Sequence, residues 1–168
     1  ETTVLTLAAG GMLDLNGLNQ AVGSLEGAGE VGNRSGREST FTVGNDNRST
    51  FFAGLISGSN ALVKVGSGTL ALGGANTYLG DTRVNGGTLK LDGGSLASGG
   101  TVTVDAGATF DVNGQTQTLA GIGGSGTITG CDKLTVTETI APGGVGEVGT
   151  LTLDGAPVFD SCSLLIDT

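Results

Sequence analysis

Three aspartates, Asp14, Asp105 and Asp111, are the residues whose type and placement could support catalysis in this sequence. Strands stacked about 4.8 Å apart could bring two of these carboxyls within the roughly 5–10 Å of a glycosidase acid/base pair. However, these aspartates alternate with apolar residues or lie just before a glycine turn, as solvated residues do. The sequence also has no histidine to serve as a base. We therefore predict no catalytic residues and no enzymatic activity.

A calcium site is the next possibility, because the nonapeptide repeat G-G-x-G-x-D binds calcium between the coils of some β-helices. The stretch from Gly86 to Asp92 departs from that pattern at the third glycine and in the position of the aspartate. We predict no metal and no cofactor.

The charge of the chain limits its partners. Sixteen acidic residues against seven basic ones give a net charge of −9, which repels nucleic acid and predicts no nucleic-acid partner. No run of 18 apolar residues is present, so this segment is not expected to insert into a membrane. Three arginines, Arg34, Arg37 and Arg48, cluster in the polar stretch 33–50, which we interpret as a solvated loop or an irregular coil.

Cys131 and Cys162 are the two cysteines of the sequence. In an oxidising extracellular compartment, two cysteines in one domain most naturally pair. We predict a disulfide between them, with an intermolecular link as the alternative.

The composition predicts many short strands. Gly accounts for 34 residues and Pro for only 2, and the frequent glycines exclude any long amphipathic helix, since each costs about 1 kcal/mol inside one. Apolar residues alternate with polar ones in short triplets that are bounded by Gly or Asn, and this period of two indicates strands with one buried face. The triplets are 70–72, 89–91, 102–104, 110–112, 134–136, 151–153 and 164–166.

Two architectures fit such strands. A parallel β-helix would stack the triplets coil upon coil, with roughly 20 residues per coil, whereas an antiparallel sandwich or barrel would use Asn-Gly pairs as hairpin turns. Little proline and very short triplets favour the β-helix. The predicted interior residues are Leu70, Leu72, Leu89, Leu91, Val102, Val104, Phe110 and Val112. The predicted left-handed corners are Asn16-Gly17, Asn85-Gly86 and Asn113-Gly114.

An internal repeat supports a stacked fold. Residues 4–31 match residues 101–128 without a gap at a constant offset. Both copies carry the motif D-x-N-G, at Asp14 and at Asp111, within the same apolar pattern. A shared spacing over so long a stretch indicates a repeated structural unit.

The stretch 51–91 contains a long series of glycines, small residues and leucines in fixed order. The series is Phe52, Gly54, Ile56, Ser57, Gly58, Leu62, Lys64, Gly66, Ser67, Gly68, Thr69, Leu70, Leu72, Gly74, Ala75, Asn76, Thr77, Tyr78, Gly80, Thr82, Val84, Gly87, Thr88 and Leu89. It resembles the autotransporter-associated β-strand repeat, also called the passenger-associated transport repeat, of bacterial autotransporter passengers and large surface proteins. Leu79, Asp81 and Arg83 depart from the small or hydroxyl residues usual there, and we interpret them as surface variation.

The resemblance implies a right-handed parallel β-helix at the cell surface or outside the cell, with a role in passenger export. We expect 1–168 to form one β-helical segment of about seven or eight coils, held at the outer membrane by regions outside this sequence. The expected function is that of a structural stalk or fibre. A glycan- or protein-binding adhesin module is the alternative, and a β-helix polysaccharide lyase or hydrolase is the least favoured one. Expected partners are the chain itself, end to end or side by side, or a host or glycan surface.

Overall fold

The computed structural model describes residues 3–144 and 147–165, so Ile166 of the last predicted triplet lies outside the described residues. Within this part of the chain there are 21 β-strands and no helix, and accordingly no helix long and apolar enough to cross a membrane. The strands are β1 Val4–Leu7, β2 Met12–Asp14, β3 Gln20–Val22, β4 Ser24–Gly27, β5 Glu30–Asn33, β6 Ser39–Val43, β7 Thr50–Phe52, β8 Leu55–Gly58, β9 Asn60–Lys64, β10 Thr69–Leu72, β11 Thr77–Tyr78, β12 Thr82–Val84, β13 Thr88–Leu91, β14 Thr101–Val104, β15 Thr109–Asp111, β16 Gln117–Gly124, β17 Thr127–Thr129, β18 Leu134–Pro142, β19 Thr152–Asp154, β20 Val158–Phe159 and β21 Ser163–Leu164.

The strands form three parallel sheets around one interior. Sheet A has the order β1-β4-β7-β10-β13-β15-β17-β19, sheet B has β11-β8-β5-β2, and sheet C has β20-β18-β16-β14-β12-β9-β6-β3, with β21 also paired to β18. The chain thus circles the interior eight times, in coils 1 to 8 that begin in turn at the eight strands of sheet A. The coils differ in length: the turn from Phe110 to its stacked partner Ile128 is short, and the turn from Gly27 to Phe52 is long. The all-β parallel β-helix is confirmed and the antiparallel alternative is wrong.

Alternation along each strand builds the interior. Leu70 and Leu72 on β10 stack in register on Leu89 and Leu91 of β13, and Leu89 stacks on Phe110. The structure buries all eight residues of the predicted interior set, none of which is more than 1% exposed. Burying one such side chain stabilises the fold by about 1.5–3 kcal/mol, so the interior columns dominate the energetics of a fold with short strands.

The two sequence repeats do not occupy equivalent faces. Val4–Leu7 lies in sheet A, whereas its counterpart Thr101–Val104 lies in sheet C. In the same way, Met12–Asp14 lies in sheet B and Thr109–Asp111 in sheet A. The offset between the copies is therefore four coils plus part of a fifth, and the second copy is rotated by one face. What repeats is a strand-corner-strand unit rather than a position around the coil.

Of the two interpretations of 33–50, the solvated loop is wrong in its middle part. Ser39–Val43 is strand β6, which pairs with β3 and β9 in sheet C and buries Phe41 and Val43. Thr40 and Thr42 alternate with the buried residues and point outward, so the composition of the segment is polar although it forms a strand. The polar residues on either side of β6 form turns between strands.

One predicted corner differs from the other two. Asn16 and Asn113 have left-handed φ values of 48° and 52°, and each amide N–H donates to the Asp carboxylate two residues earlier, at 3.0 and 2.9 Å. Asn85 lacks such an aspartate, since Arg83 occupies that place and donates to the Asn85 side chain. Its N–H instead continues the ladder to Lys64 O, and the left-handed residue of that corner is Gly87, with φ 60°.

The last coil leaves apolar side chains uncovered. Val158, Phe159, Leu164 and Leu165 are between 41% and 57% exposed, whereas Val136, which is stacked against Phe159, is fully buried. Among the described residues, β19 and β20 pair with a strand on one side only, in sheets A and C respectively. Within this part of the chain, no further coil covers the apolar side chains of coil 8.

Candidate functional site

A stack of glycines forms the corner between sheets A and B. Leu55 N donates to Gly29 O at 3.0 Å, and Ser95 N donates to Gly74 O at 3.1 Å, so coils meet here backbone to backbone. A Cβ at Gly54 would overlap the carbonyl oxygen of Gly29, and one at Gly74 would overlap that of Gly54. Neither Gly54 nor Gly74 has a left-handed φ. The corner needs glycine for space, because any side chain would separate the coils.

Buried amides clamp the corners from inside. Asn76 accepts a hydrogen bond from Ile56 N at 2.9 Å, and its Nδ2 donates to Gly74 O and to Ser95 O, each at 3.0 Å. These contacts join coils 3, 4 and 5. Asn33 works similarly, donating to Ser59 O at 2.8 Å and accepting from Gly17 N at 3.0 Å.

Sequence reasoning missed the clamping role of these amides. No local signal separates these amides from exposed asparagines. Asn33, Asn60 and Asn76 precede Arg, Ala and Thr, but the exposed residues Asn19, Asn45 and Asn47 also lack a following glycine. Asn60 is also 1% exposed, and neither of its side-chain amide atoms has a hydrogen-bond partner among the described residues.

The three candidate carboxylates make structural contacts at the surface of the fold. Asp14 and Asp111 close their Asn-Gly corners, as described above. Asp105 forms an ion pair with Arg83 across neighbouring coils, with 2.9 Å between the carboxylate and the guanidinium. Among residues 3–144 and 147–165, no group of three or more His, Cys, Asp or Glu side chains is arranged to hold a metal ion.

The structure does not form the predicted disulfide. Cys131 is a buried free thiol whose Sγ lies 3.3 Å from Asp154 O, and Cys162 is a half-buried free thiol whose Sγ lies 2.8 Å from Val136 O. The two thiols lie beside different sheets. Cys131 comes shortly after β17 of sheet A, whereas Cys162 comes directly before β21, which pairs with β18 of sheet C. Burial raises the pKa of the Cys131 thiol, with the neighbouring carboxylates acting in the same direction.

This arrangement makes a direct prediction about thiol content. Denatured, unreduced protein should titrate two thiols per chain with a thiol-specific reagent, and the native protein should react first at Cys162. No titratable thiol in the monomer would show that the two cysteines pair after a local rearrangement. One disulfide-linked dimer band without reductant would identify an intermolecular link.

A surface groove lies outside the corner between sheets B and C. It encloses about 510 Å³ and spans coils 1 to 4. Its lining includes Asn19, Glu38, Thr40, Ser59, Leu79 and Asp81. Leu79 is 74% exposed, and Asp81 accepts a hydrogen bond from Thr101 N. Among the described residues, no basic side chain lines the groove. The groove combines carboxylates, hydroxyls and an exposed leucine, and so suits an uncharged or basic ligand.

Comparison with known proteins agrees with the coil structure. Residues 62–91, which run from β9 to β13, match the passenger-associated transport repeat. The chain is also 42% identical over 103 residues to the adhesin BmaC autotransporter of Brucella suis biovar 1 (strain 1330). That similarity covers 59% of this chain and 3% of the relative. No solved structure matches the chain. Residues 62–91 are thus similar to a passenger-associated transport repeat, and the β-helical chain is similar to a short part of an autotransporter adhesin.

Proposed function

We propose that the chain is a rigid, non-enzymatic stalk segment of a secreted or surface protein, which displays distal domains and supports export of the passenger. The observation that carries this proposal is the parallel ladder that runs through all eight coils in sheets A and C around one apolar interior. Eight coils at about 4.8 Å each give a rod of roughly 35–40 Å. The relative, of which this chain spans 3%, is named as an adhesin autotransporter, which is consistent with a segment of a long surface protein.

The stalk function is tested in the surface protein that carries the segment. Residues 1–168 are replaced by a Gly/Ser linker of equal length, and an epitope distal to the segment is measured by antibody binding and protease accessibility on intact cells. We expect the linker to reduce the displayed epitope, because a flexible chain supplies neither a fixed spacing nor a folded rod. Equal display and equal adhesion with the linker would overturn the proposal.

A second candidate function is ligand binding by the groove between sheets B and C. Glu38 and Asp81 are among its lining residues, which include no Lys or Arg in the described part of the chain, and Leu79 gives it an exposed apolar contact. We propose a neutral glycan or a basic protein segment as its ligand. The adhesin name of the relative supports this candidate at the level of the whole protein only.

The groove proposal predicts a difference between two leucines. Leu79→Arg should abolish saturable binding to a neutral glycan array or a basic peptide array, because it places a long cation inside the groove. Leu18→Arg is the matched control, since Leu18 is 60% exposed and lies outside the groove lining. Both variants should keep wild-type melting temperatures. Equal binding by both variants would exclude the groove, and no binding by the unaltered chain would leave the stalk as its function.

A further inference from the structure

Lys64 is a charged side chain inside the β-helix. It is the last residue of β9, whose inward positions are Asn60, Leu62 and Lys64, and it is only 1% exposed. Its stacked neighbours are Val43 in coil 2 and Val84 in coil 4, and Val104 continues the same column in coil 5. A lysine thus occupies a column in which the neighbouring coils place valine.

The ammonium group meets three backbone carbonyls. Nζ donates to Val65 O at 2.6 Å, to Gly66 O at 3.1 Å and to Gly86 O at 3.1 Å. The first two carbonyls belong to the corner that ends coil 3, and the third belongs to the corner stacked on it from coil 4. An ammonium has three donors and no acceptor, so its hydrogen-bonding capacity matches this cage. Gly44 leaves the necessary room, since a Cβ there would lie 3.3 Å from Nζ.

No carboxylate compensates this buried charge among the described residues. The elements packed against Lys64 are β6, β12 and the corners after them, and the charged side chains nearest in sequence have other partners. Asp46 pairs with Arg48 and accepts from Ser24, while Arg83 points outward to Asp105. Burial lowers the pKa of Lys64 from its usual 10.5 to about 8. At neutral pH the group therefore still carries its proton, and all three donors are present.

We propose that Lys64 is an internal cation that holds coil 4 in register on coil 3 by satisfying the inward carbonyls of this corner. In a solenoid of similar coils, a one-residue shift of register turns interior side chains outward, and burial of the apolar columns already opposes it. A two-residue shift keeps every side chain on its face, and apolar side chains oppose it less because one apolar neighbour substitutes for another. A cation needs its three carbonyls at defined points, and a buried polar group can serve specificity in this way. The cage is complete only when Gly86 O lies above Gly66.

The decisive variant is Lys64→Met, which keeps the length of the side chain and removes its donors. It leaves three inward carbonyls without the ammonium, so we expect a melting temperature lower by about 5 °C or more and faster amide exchange at Asn85, whose N–H donates to Lys64 O. Lys90→Met is the matched control, because Lys90 lies on the outer face beside Asp92 and should change the melting temperature by less than about 2 °C. Wild-type melting and exchange in Lys64→Met would overturn the proposal.

A second measurement on the unaltered chain tests whether the Lys64 ammonium is buried in this cage, and it remains possible if the variant does not fold. The ¹³Cε resonance of Lys64 should titrate near pH 8. Ammonium protons of Lys64 that exchange with solvent as fast as those of the exposed Lys133 would place the amine in solvent and overturn the cage. Between about pH 8 and 10.5 the unfolded chain retains a proton that folded Lys64 has released, so this residue makes stability rise with pH across that window. Burial raises the pKa values of Tyr78 and Cys131, which act in the opposite direction. Both groups are present in Lys64→Met, so the difference between the two pH profiles isolates Lys64.

Discussion

Gly54→Ala should destabilise the β-helix by about 3 kcal/mol or more, although it adds a single methyl group to a residue with ordinary backbone angles. The new Cβ would overlap Gly29 O in the preceding coil, because the two atoms would be much closer than 3.0 Å, a separation below which Cβ atoms are essentially never found. Neither atom can move alone. Gly29 O accepts the N–H of Leu55, so the coils must separate and weaken the ladder on both adjoining sheets.

The measurement is the thermal unfolding of Gly54→Ala followed by circular dichroism at the strand signal. A cost of about 3 kcal/mol corresponds to a melting temperature lower by roughly 6–12 °C in a chain of this size. Gly99→Ala is the control, because its Cβ would meet nothing within 4 Å and Gly99 also has no left-handed φ. It should be neutral or slightly stabilising, since alanine restricts the unfolded chain. Equal melting of the two variants would show that the corner tolerates side chains and that its glycines are not required by packing.

The sequence predicts the short two-faced strands and their corners because these two signals are local, whereas the choice of a parallel β-helix over an antiparallel fold rested also on the resemblance of 51–91 to a known repeat. In a triplet such as 70–72, the middle residue points outward and the two flanking residues point inward. This holds regardless of which coils lie above and below. The D-x-N-G motif is also local, since the Asp111 carboxylate captures the N–H of Asn113 within the same turn. Both features follow from neighbouring residues and need no knowledge of how long each coil is.

Other features depend on coil length, which the sequence does not fix. Coils of unequal length place the second repeat copy one face away from the first. They also direct Cys131 and Cys162 to different strands, although the presence of two cysteines in one domain suggested a bridge. Whether two distant residues come into contact depends on the total number of residues in the corners between them. One extra residue at a corner changes whether the two residues meet.

Lys64 illustrates a different limit. The sequence presents it as one of a few scattered basic residues, and burial of an isolated charge is normally too costly to be expected. Its position two residues after Leu62 is the local sign that it faces inward. The compensating carbonyls come from Val65, Gly66 and Gly86, and backbone groups leave no mark in the amino-acid pattern. Buried amides such as Asn76 were overlooked for the same reason.

Leu72→Asp should abolish cooperative folding near neutral pH, and it tests the interior columns most directly. Leu72 is fully buried and stacks between Phe52 and Leu91, so an aspartate there would be a charge without a partner, at a cost of several kcal/mol. Ala71→Asp is the matched control on the same strand. Ala71 faces outward with Lys90 stacked beside it, and an aspartate there should change stability by less than about 0.5 kcal/mol.

The pH dependence of Leu72→Asp separates buried charge from lost packing volume. Burial raises the pKa of a carboxyl, so folded Asp at position 72 should hold its proton at pH values where the unfolded chain has released it. Stability then falls as pH rises through this window, and lowering the pH from 7 to 4 should restore part of the melting transition. Ala71→Asp should show no such recovery beyond that of the unaltered chain. Leu72→Asp that melts like the unaltered chain at both pH values would place position 72 in solvent, which is incompatible with stacked apolar columns as the source of the rod's stability.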